Sequence, residues 1–168
     1  MYDRITKETM VSTHLGCKAE DIAETVILTP IWNLERFKSV AGETIKEFFG
    51  WYKGITVLYK GQKVTVINSG IGAPLSGDCA LALGYTDCKN IIFSGSAGAV
   101  NPDYSIGDLL AVKRAVIGEG FSRYHGGDIA KDCFGELVEG DDILHRKLLE
   151  VIKEYALQLE TSYHDGKI

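Results

Sequence analysis

Apolar, β-branched runs alternate along the chain with amphipathic stretches, a pattern that predicts strands interleaved with helices. Thr25 to Leu28 (TVIL) is a short apolar run stopped by Pro30, and Asn33 stands where it can cap LERFKSVA, which continues helically toward Gly42. Ile55 to Tyr59 (ITVLY) and Val64 to Asn68 (VTVIN), separated by KGQK with its Gly61, predict a hairpin. The next segment, SGIGAPLSG, loosens the backbone at Gly70 and Gly72 and places Pro74 in the first turn of a helix over APLSGDCALALG. Asn90 to Phe93 (NIIF) repeats the device as a wholly apolar run, the kind buried on both faces of a sheet, and leads into SGSAGAV. Leu109 to Ile117 (LLAVKRAVI) predicts another strand, followed by the polar, aromatic loop EGFSRYHGGD. Asp141 to Glu160 sets Ile143, Leu144, Leu148, Leu149, Ile152 and Tyr155 on one helical face, with acidic residues at the positive N-terminal end. The closing TSYHDGKI reads as a turn entering a further strand.

With no linker, charge run or tandem repeat, this order predicts one α/β domain over residues 1–168. Its central sheet is mixed, largely parallel, twisted and flanked by helices. A chain of 168 residues with 45% hydrophobic and 24% charged residues is large enough to sustain a core without staples. The net charge of −5, spread without a basic stripe, argues against a nucleic-acid partner. No apolar run reaches the roughly 18 residues of a membrane span, and MYDRITKETM lacks the apolar core of a secretory signal. The expectation is a cytoplasmic protein with no membrane partner. Cys17, Cys79, Cys88 and Cys133 form no CxxC pair and have no histidine at zinc-ligand spacing, so no metal is expected and the thiols read as reduced and mostly buried.

In open α/β sheets ligands sit beyond the carboxyl ends of the strands, where SGIG and SGSAG both fall. Backbone N–H groups freed by glycine, with a helix N-terminus behind them, suit an anion or a hydroxyl, and the two loops should converge on one ligand. A dinucleotide fold is disfavoured, because Gly70-x-Gly72 lacks the third glycine at position 75, which is leucine. Ser96 has no paired base nearby and reads as a turn-capping group before a nucleophile. His14, in a short polar segment, reads by itself as a solvated histidine, and His125 beside Tyr124 stands similarly. The aromatic stripe Phe48, Phe49, Trp51 and Tyr52 reads as core or interface packing, with a pocket wall as the alternative.

Six motifs in order carry a resemblance: His14-Leu15 followed by AEDIAETVIL, then LERF, YKGQKVTVINSGIGAP, NIIFSGSAGAV, SIGDLL and EGFSRYH. Together they resemble the nucleoside phosphorylase and nucleosidase superfamily, which includes purine nucleoside phosphorylases, uridine phosphorylases and methylthioadenosine nucleosidases. The resemblance implies cleavage of the N-glycosidic bond of a nucleoside, a purine nucleoside first, to base plus ribose 1-phosphate or ribose. It implies no cofactor, with phosphate as a possible co-substrate, and a homo-oligomer, a dimer or trimer of dimers. His14 would reach the ribose 5′ end in the neighbouring subunit's site. Gly70, Ile71, Gly95, Ser96, Ala97 and Gly98 would hold ribose, base and the attacking phosphate or water, with Ile71 near the sugar and Ser96 on the nucleophile. Arg36 of LERF would meet phosphate.

Other phosphate features depart from the family. The Gly-Asp before the arginine reads Trp32-Asn33, the partner's arginine would fall near Gly50, and a third, before the second glycine loop, is Phe93. Two lost guanidinium groups remove charge-assisted oxyanion contacts, which tilts the reading toward water as nucleophile. The family's base-binding strand, its Val-Glu-Met-Glu ribose motif and the acid that protonates the leaving base have no counterpart in these residues. The resemblance therefore covers the N-terminal two thirds of the family fold, apparently C-terminally truncated, and names no catalytic acid. The alternative is a truncated, catalytically inactive nucleoside-binding or assembly module.

Overall fold

A computed structural model describes residues 6–121, 130 and 132–168; Ser122, Arg123, Tyr124 and His125 of EGFSRYH lie outside them. The chain forms two compact units, residues 1–96 and 97–168. In the first, five strands pair in the order β2-β3-β4-β1-β5. They are β1 (Thr25–Thr29), β2 (Glu43–Phe49), β3 (Lys53–Tyr59), β4 (Gln62–Asn68) and β5 (Asn90–Phe93), with helices α1 (Lys7–His14), α2 (Leu34–Ala41) and α3 (Ala73–Leu83). β1 runs parallel to β4 and β5, while β2-β3 and β3-β4 are antiparallel, so the sheet is mixed.

Side-chain alternation divides this sheet into two faces. Val26, Leu28, Phe48 and Ile67 point to one, where Val11 of α1, Leu15 at its C-cap, and Cys79 and Leu83 of α3 complete the main core. Ile27, Ile55, Val57 and Val66 point to the other and are covered by Leu34 and Phe37 of α2. The elements end for local reasons. Asn33 Oδ1 accepts the Glu35 N–H at 3.0 Å to start α2, and Gly42, at φ 86°, stops it. The β3–β4 bend is two residues, Lys60 and Gly61, both at positive φ, the conformation that matches strand twist in a tight hairpin.

A buried polar chain fixes how β1 is entered. The Thr56 hydroxyl donates to Asp21 O at 2.8 Å, so in its 2.8 Å contact with Thr65 it must accept, and Thr65 Oγ1 in turn accepts the Ala23 N–H at 2.8 Å. Thr65→Val strands the buried Ala23 N–H and is expected to cost about 2 kcal/mol. Urea denaturation should show the loss as a lower midpoint at unchanged slope, with Thr65→Ser close to the parent.

The second unit holds a three-stranded sheet, β7-β6-β8, of β6 (Leu109–Val116), β7 (Leu137–Glu139) and β8 (Tyr163–Lys167). β8 is parallel to β6, β7 is antiparallel, and α4 (Asp142–Gln158) packs on β6. Asp141 caps α4 by accepting the Ile143 and Leu144 N–H groups at 2.9 and 2.8 Å. At the amino ends of β6 and β8, His164 Nε2 lies 2.7 Å from Asp108 Oδ2 and its ring stacks on Tyr104 at 3.8 Å. The Ser105 N–H and then His164 hold the Asp108 carboxyl below the usual range. On the opposite face of β8, buried His145 of α4 brings Nε2 within 3.0 Å of Asp165 Oδ1, off-line for a directed hydrogen bond.

Several expectations need correction. NIIF is an edge strand with Ile91 and Phe93 exposed, because its apolar character signalled a sheet face that nothing among the described residues covers. On α4 the buried residues are His145 and Ala156, and Ile143 and Tyr155 are exposed, so the buried stripe is rotated from the apolar one. α1 and β2 are elements the sequence pattern did not announce.

Candidate functional site

Three loops leave the carboxyl ends of the parallel strands β1, β4 and β5 side by side. The Ser69 N–H donates to Thr29 O at 3.0 Å and the Ser94 N–H to Leu28 O at 2.8 Å, so the backbone itself ties the loops to one rim. Gly70 and Gly72 take φ of 73° and 101°, conformations that a Cβ resists, and the Gly70 N–H is held by Asn68 Oδ1 at 3.1 Å. The Gly72 carbonyl already accepts the Ser76 N–H of α3, whose first turn contains Pro74. Gly95 approaches Pro30, where an added Cβ would lie 3.5 Å from the proline ring.

Gly70 and Gly95 are thus brought to one edge, and Ile71 projects from it with its side chain 73% exposed. Ser96 is exposed and ends the first unit, while Ala97 and Gly98 are exposed and begin the second. Arg36 sits elsewhere: it lies on α2, across the sheet from α3, and its guanidinium carbon stands 5.8 Å over the Trp32 ring. Phe93 is exposed, and Gly50 has no room for a side chain, since an added Cβ would lie 2.5 Å from His14 O.

His14 is buried rather than solvated, a correction that follows from the helix that carries it. Its Nδ1 faces Met10 O at 3.0 Å; a carbonyl only accepts, so Nδ1 carries the hydrogen. Nε2 is thereby aimed at Asp78 Oδ2 of α3, 3.6 Å away, an ion-pair distance when the ring carries both protons. The same carboxylate oxygen lies 2.9 Å from the Tyr52 hydroxyl, which is also 3.0 Å from Leu75 O, and the exposed Trp51 ring tilts against His14 at 4.7 Å. Asp78 is the neighbour of His14 that sequence reasoning missed, and Tyr52, singled out only as one of the aromatic stripe, is the group that shares its carboxylate. The aromatic stripe divides, with Phe48 and Tyr52 in the core and Phe49 and Trp51 exposed.

Among the described residues no group of three metal-ligating side chains gathers. Two of the thiols are held protonated: burial, then the Asp78 charge, pushes Cys79 up to about 12, and burial, then Asp21, pushes Cys17 up to about 11. Cys17 and Cys79 should resist iodoacetamide in the native protein and react once it is unfolded. Above an ordinary thiol pKa of 9.0 the unfolded chain releases protons that the folded chain retains. Stability should therefore fall as pH rises through that value, a trend that denaturation midpoints at about pH 8 and about pH 10 will check.

Residues 22–168 match the family model described as Phosphorylase superfamily. The chain is 31% identical over 169 residues to the DeoD-type purine nucleoside phosphorylase of Clostridium novyi (strain NT), covering 94% of this chain and 70% of that protein. It is 32% identical over 127 residues to the uridine phosphorylase of Thermococcus kodakarensis, covering 73% of this chain and 45% of that one. Among solved structures, the purine nucleoside phosphorylase of Toxoplasma gondii in complex with immucillin-H superposes with a TM-score of 0.69 at 24% identity, a likeness of fold that covers 90% of this chain and 58% of that chain. The matches cover between 45% and 70% of the length of these proteins.

Proposed function

This chain is a member of the phosphorylase superfamily, and from that premise we propose that the protein to which it contributes cleaves the N-glycosidic bond of a nucleoside, a purine nucleoside first. The observation that carries the reading is the shared rim at β1, β4 and β5, where the Thr29–Ser69 and Leu28–Ser94 backbone hydrogen bonds hold two glycine loops together. Breaking an N-ribosyl bond builds positive charge on the sugar and negative charge on the base. A rim of backbone N–H groups at Ile71, Gly95 and Ser96, next to the Gly70 bend whose own N–H is held by Asn68, suits the sugar hydroxyls and an attacking oxyanion or water. Further members of the ligand set are Ala97 and Gly98 toward the base and His14 toward the ribose 5′ end. Arg36 would serve phosphate, after a reorientation away from Trp32. The similarity to a purine nucleoside phosphorylase and to a uridine phosphorylase supports the same bond and leaves the base open.

The test is base release from inosine, adenosine, methylthioadenosine and uridine, with and without phosphate. Release that needs phosphate identifies phosphorolysis, release without it identifies hydrolysis, and no release across the panel refutes the proposal. A second reading, a binding or assembly module without turnover, is favoured by one observation. Of the three arginine positions in the family pattern, one is the exposed Phe93 and another is the sterically closed Gly50. Calorimetric binding of ribose or adenine without turnover would support it.

A further inference from the structure

The face of the first sheet under α2 carries its own cleft at the same rim, across the sheet from α3 and the His14–Asp78 pair. Strand register builds it. Phe49, Lys53, Asn68 and Thr29 are consecutive cross-strand partners on β2, β3, β4 and β1, so their side chains stand in one row on that face. The Thr29 hydroxyl accepts the Trp32 N–H at 3.2 Å and folds the 30–33 segment back over the row, while Arg36 backs the Trp32 ring from α2. The cleft is half open and holds about 310 Å³, at the lower end of the roughly 300–1,000 Å³ of small-molecule pockets.

The two ends of the cleft differ in charge. At one, Lys38 crosses from α2 to β2 and meets Glu35 at 2.7 Å and Glu47 at 2.8 Å, which fills that end with an ammonium already satisfied. At the other, among the described residues, Lys53 has no carboxylate within ion-pair distance, and the Asn68 side-chain amide, whose oxygen is taken by the Gly70 N–H, has its N–H donors left over. Between the ends the walls are Ile31, Trp32, Leu34 and Phe49 over a floor of Gly54 and Ile55. Gly54 contributes only main chain to the floor, because the side-chain position there points to the opposite face, where the Phe48 ring lies.

We propose that this cleft is a second ligand site, which takes a small carboxylate with a planar apolar body. Its carboxylate is received by Lys53 and the Asn68 amide, and its ring lies between Trp32 and Phe49. Apolar walls with a cation and an amide donor at one end match that chemistry, and they disfavour inorganic phosphate, whose oxygens would face Ile31 and Leu34 without donors. The cleft shares Arg36 and the Asn68–Gly70 hydrogen bond with the nucleoside reading, but its test reads Lys53 and a carboxylate probe and so is decided separately.

Benzoate is the probe, titrated into the ¹⁵N-labelled 168-residue chain, with benzyl alcohol and inorganic phosphate as comparators. Benzoate should move the Trp32 indole, Gly54 amide and Asn68 side-chain resonances, and benzyl alcohol should bind about tenfold more weakly. Lys53→Gln should weaken benzoate by about tenfold and leave benzyl alcohol unchanged, while Lys53→Arg should retain most of the benzoate affinity. Four results would each overturn the proposal: no shifts at tens of millimolar benzoate, shifts confined to the Ser69–Gly72 loop, Lys53→Gln binding like the parent, or phosphate moving the same resonances and displacing benzoate.

Discussion

Gly50→Ala should destabilise the protein by about 4 kcal/mol and lower its melting temperature by roughly 8–16 °C. An alanine Cβ there would lie 2.5 Å from His14 O, 2.6 Å from Gly16 N and 2.7 Å from Leu15 C, all backbone atoms with no side chain to swing away. Gly16 mirrors the contact, since its own added Cβ would lie 2.3 Å from Phe49 O. Two glycines thus let the end of α1 and the β2–β3 turn touch main chain to main chain. The approach is sealed by the Tyr52 N–H donating to His14 O at 2.9 Å and the Gly50 N–H to Tyr52 O at 3.1 Å. Prising the strands apart would also lift His14 from Asp78. Gly50→Arg, which puts an arginine near where the resemblance implies the partner's arginine, should be no better tolerated and should confer no phosphate affinity. The control is Gly61→Ala at φ 78° with nothing within 4 Å, where only conformational strain of about 1 kcal/mol applies. Thermal melts in which Gly50→Ala and Gly61→Ala lose equally would refute the close approach.

Phe48→Ala should cost about 3–5 kcal/mol, the usual range for deleting a fully buried ring. Phe48 is 2% exposed and its ring lies directly over Gly54: a Cβ added to Gly54 would stand 2.2 Å from Phe48 Cζ. That geometry makes a signature beyond the single loss. Gly54→Ala alone should be strongly destabilising, yet in the Phe48→Ala background the new methyl occupies vacated space, so the double variant should be more stable than the sum of the single losses requires. Denaturant midpoints for the four proteins measure the coupling, and strict additivity would contradict the ring-over-glycine packing. The neighbouring Phe49, 66% exposed, should lose little on truncation to alanine.

What could be read from the sequence followed from burial. TVIL, ITVLY and VTVIN are β-branched because they supply the sheet's interior faces, and α3 and α4 carry their start signals at Pro74 and Asp141. β2 carried no such signal: six of its seven residues are exposed and only Phe48 is buried, so its hydrophobic pattern has no period to detect. α1 is short and largely polar, and it buries Met10, Val11 and His14 only because α3 and the β2–β3 turn meet it. The histidine's environment was therefore a tertiary fact. The glycine loops were legible as loops after strands, and their common rim followed from parallel pairing. The Lys53–Asn68 partnership was not, because it depends on a hairpin register that begins two residues before the apolar run.

β5 pairs with β1 and, among the described residues, has no strand on its other flank. A row of unanswered peptide donors and acceptors beside Ile91 and Phe93 is a template for whatever extended backbone arrives first. In concentrated solution another molecule of the same chain is expected to pair first at this edge.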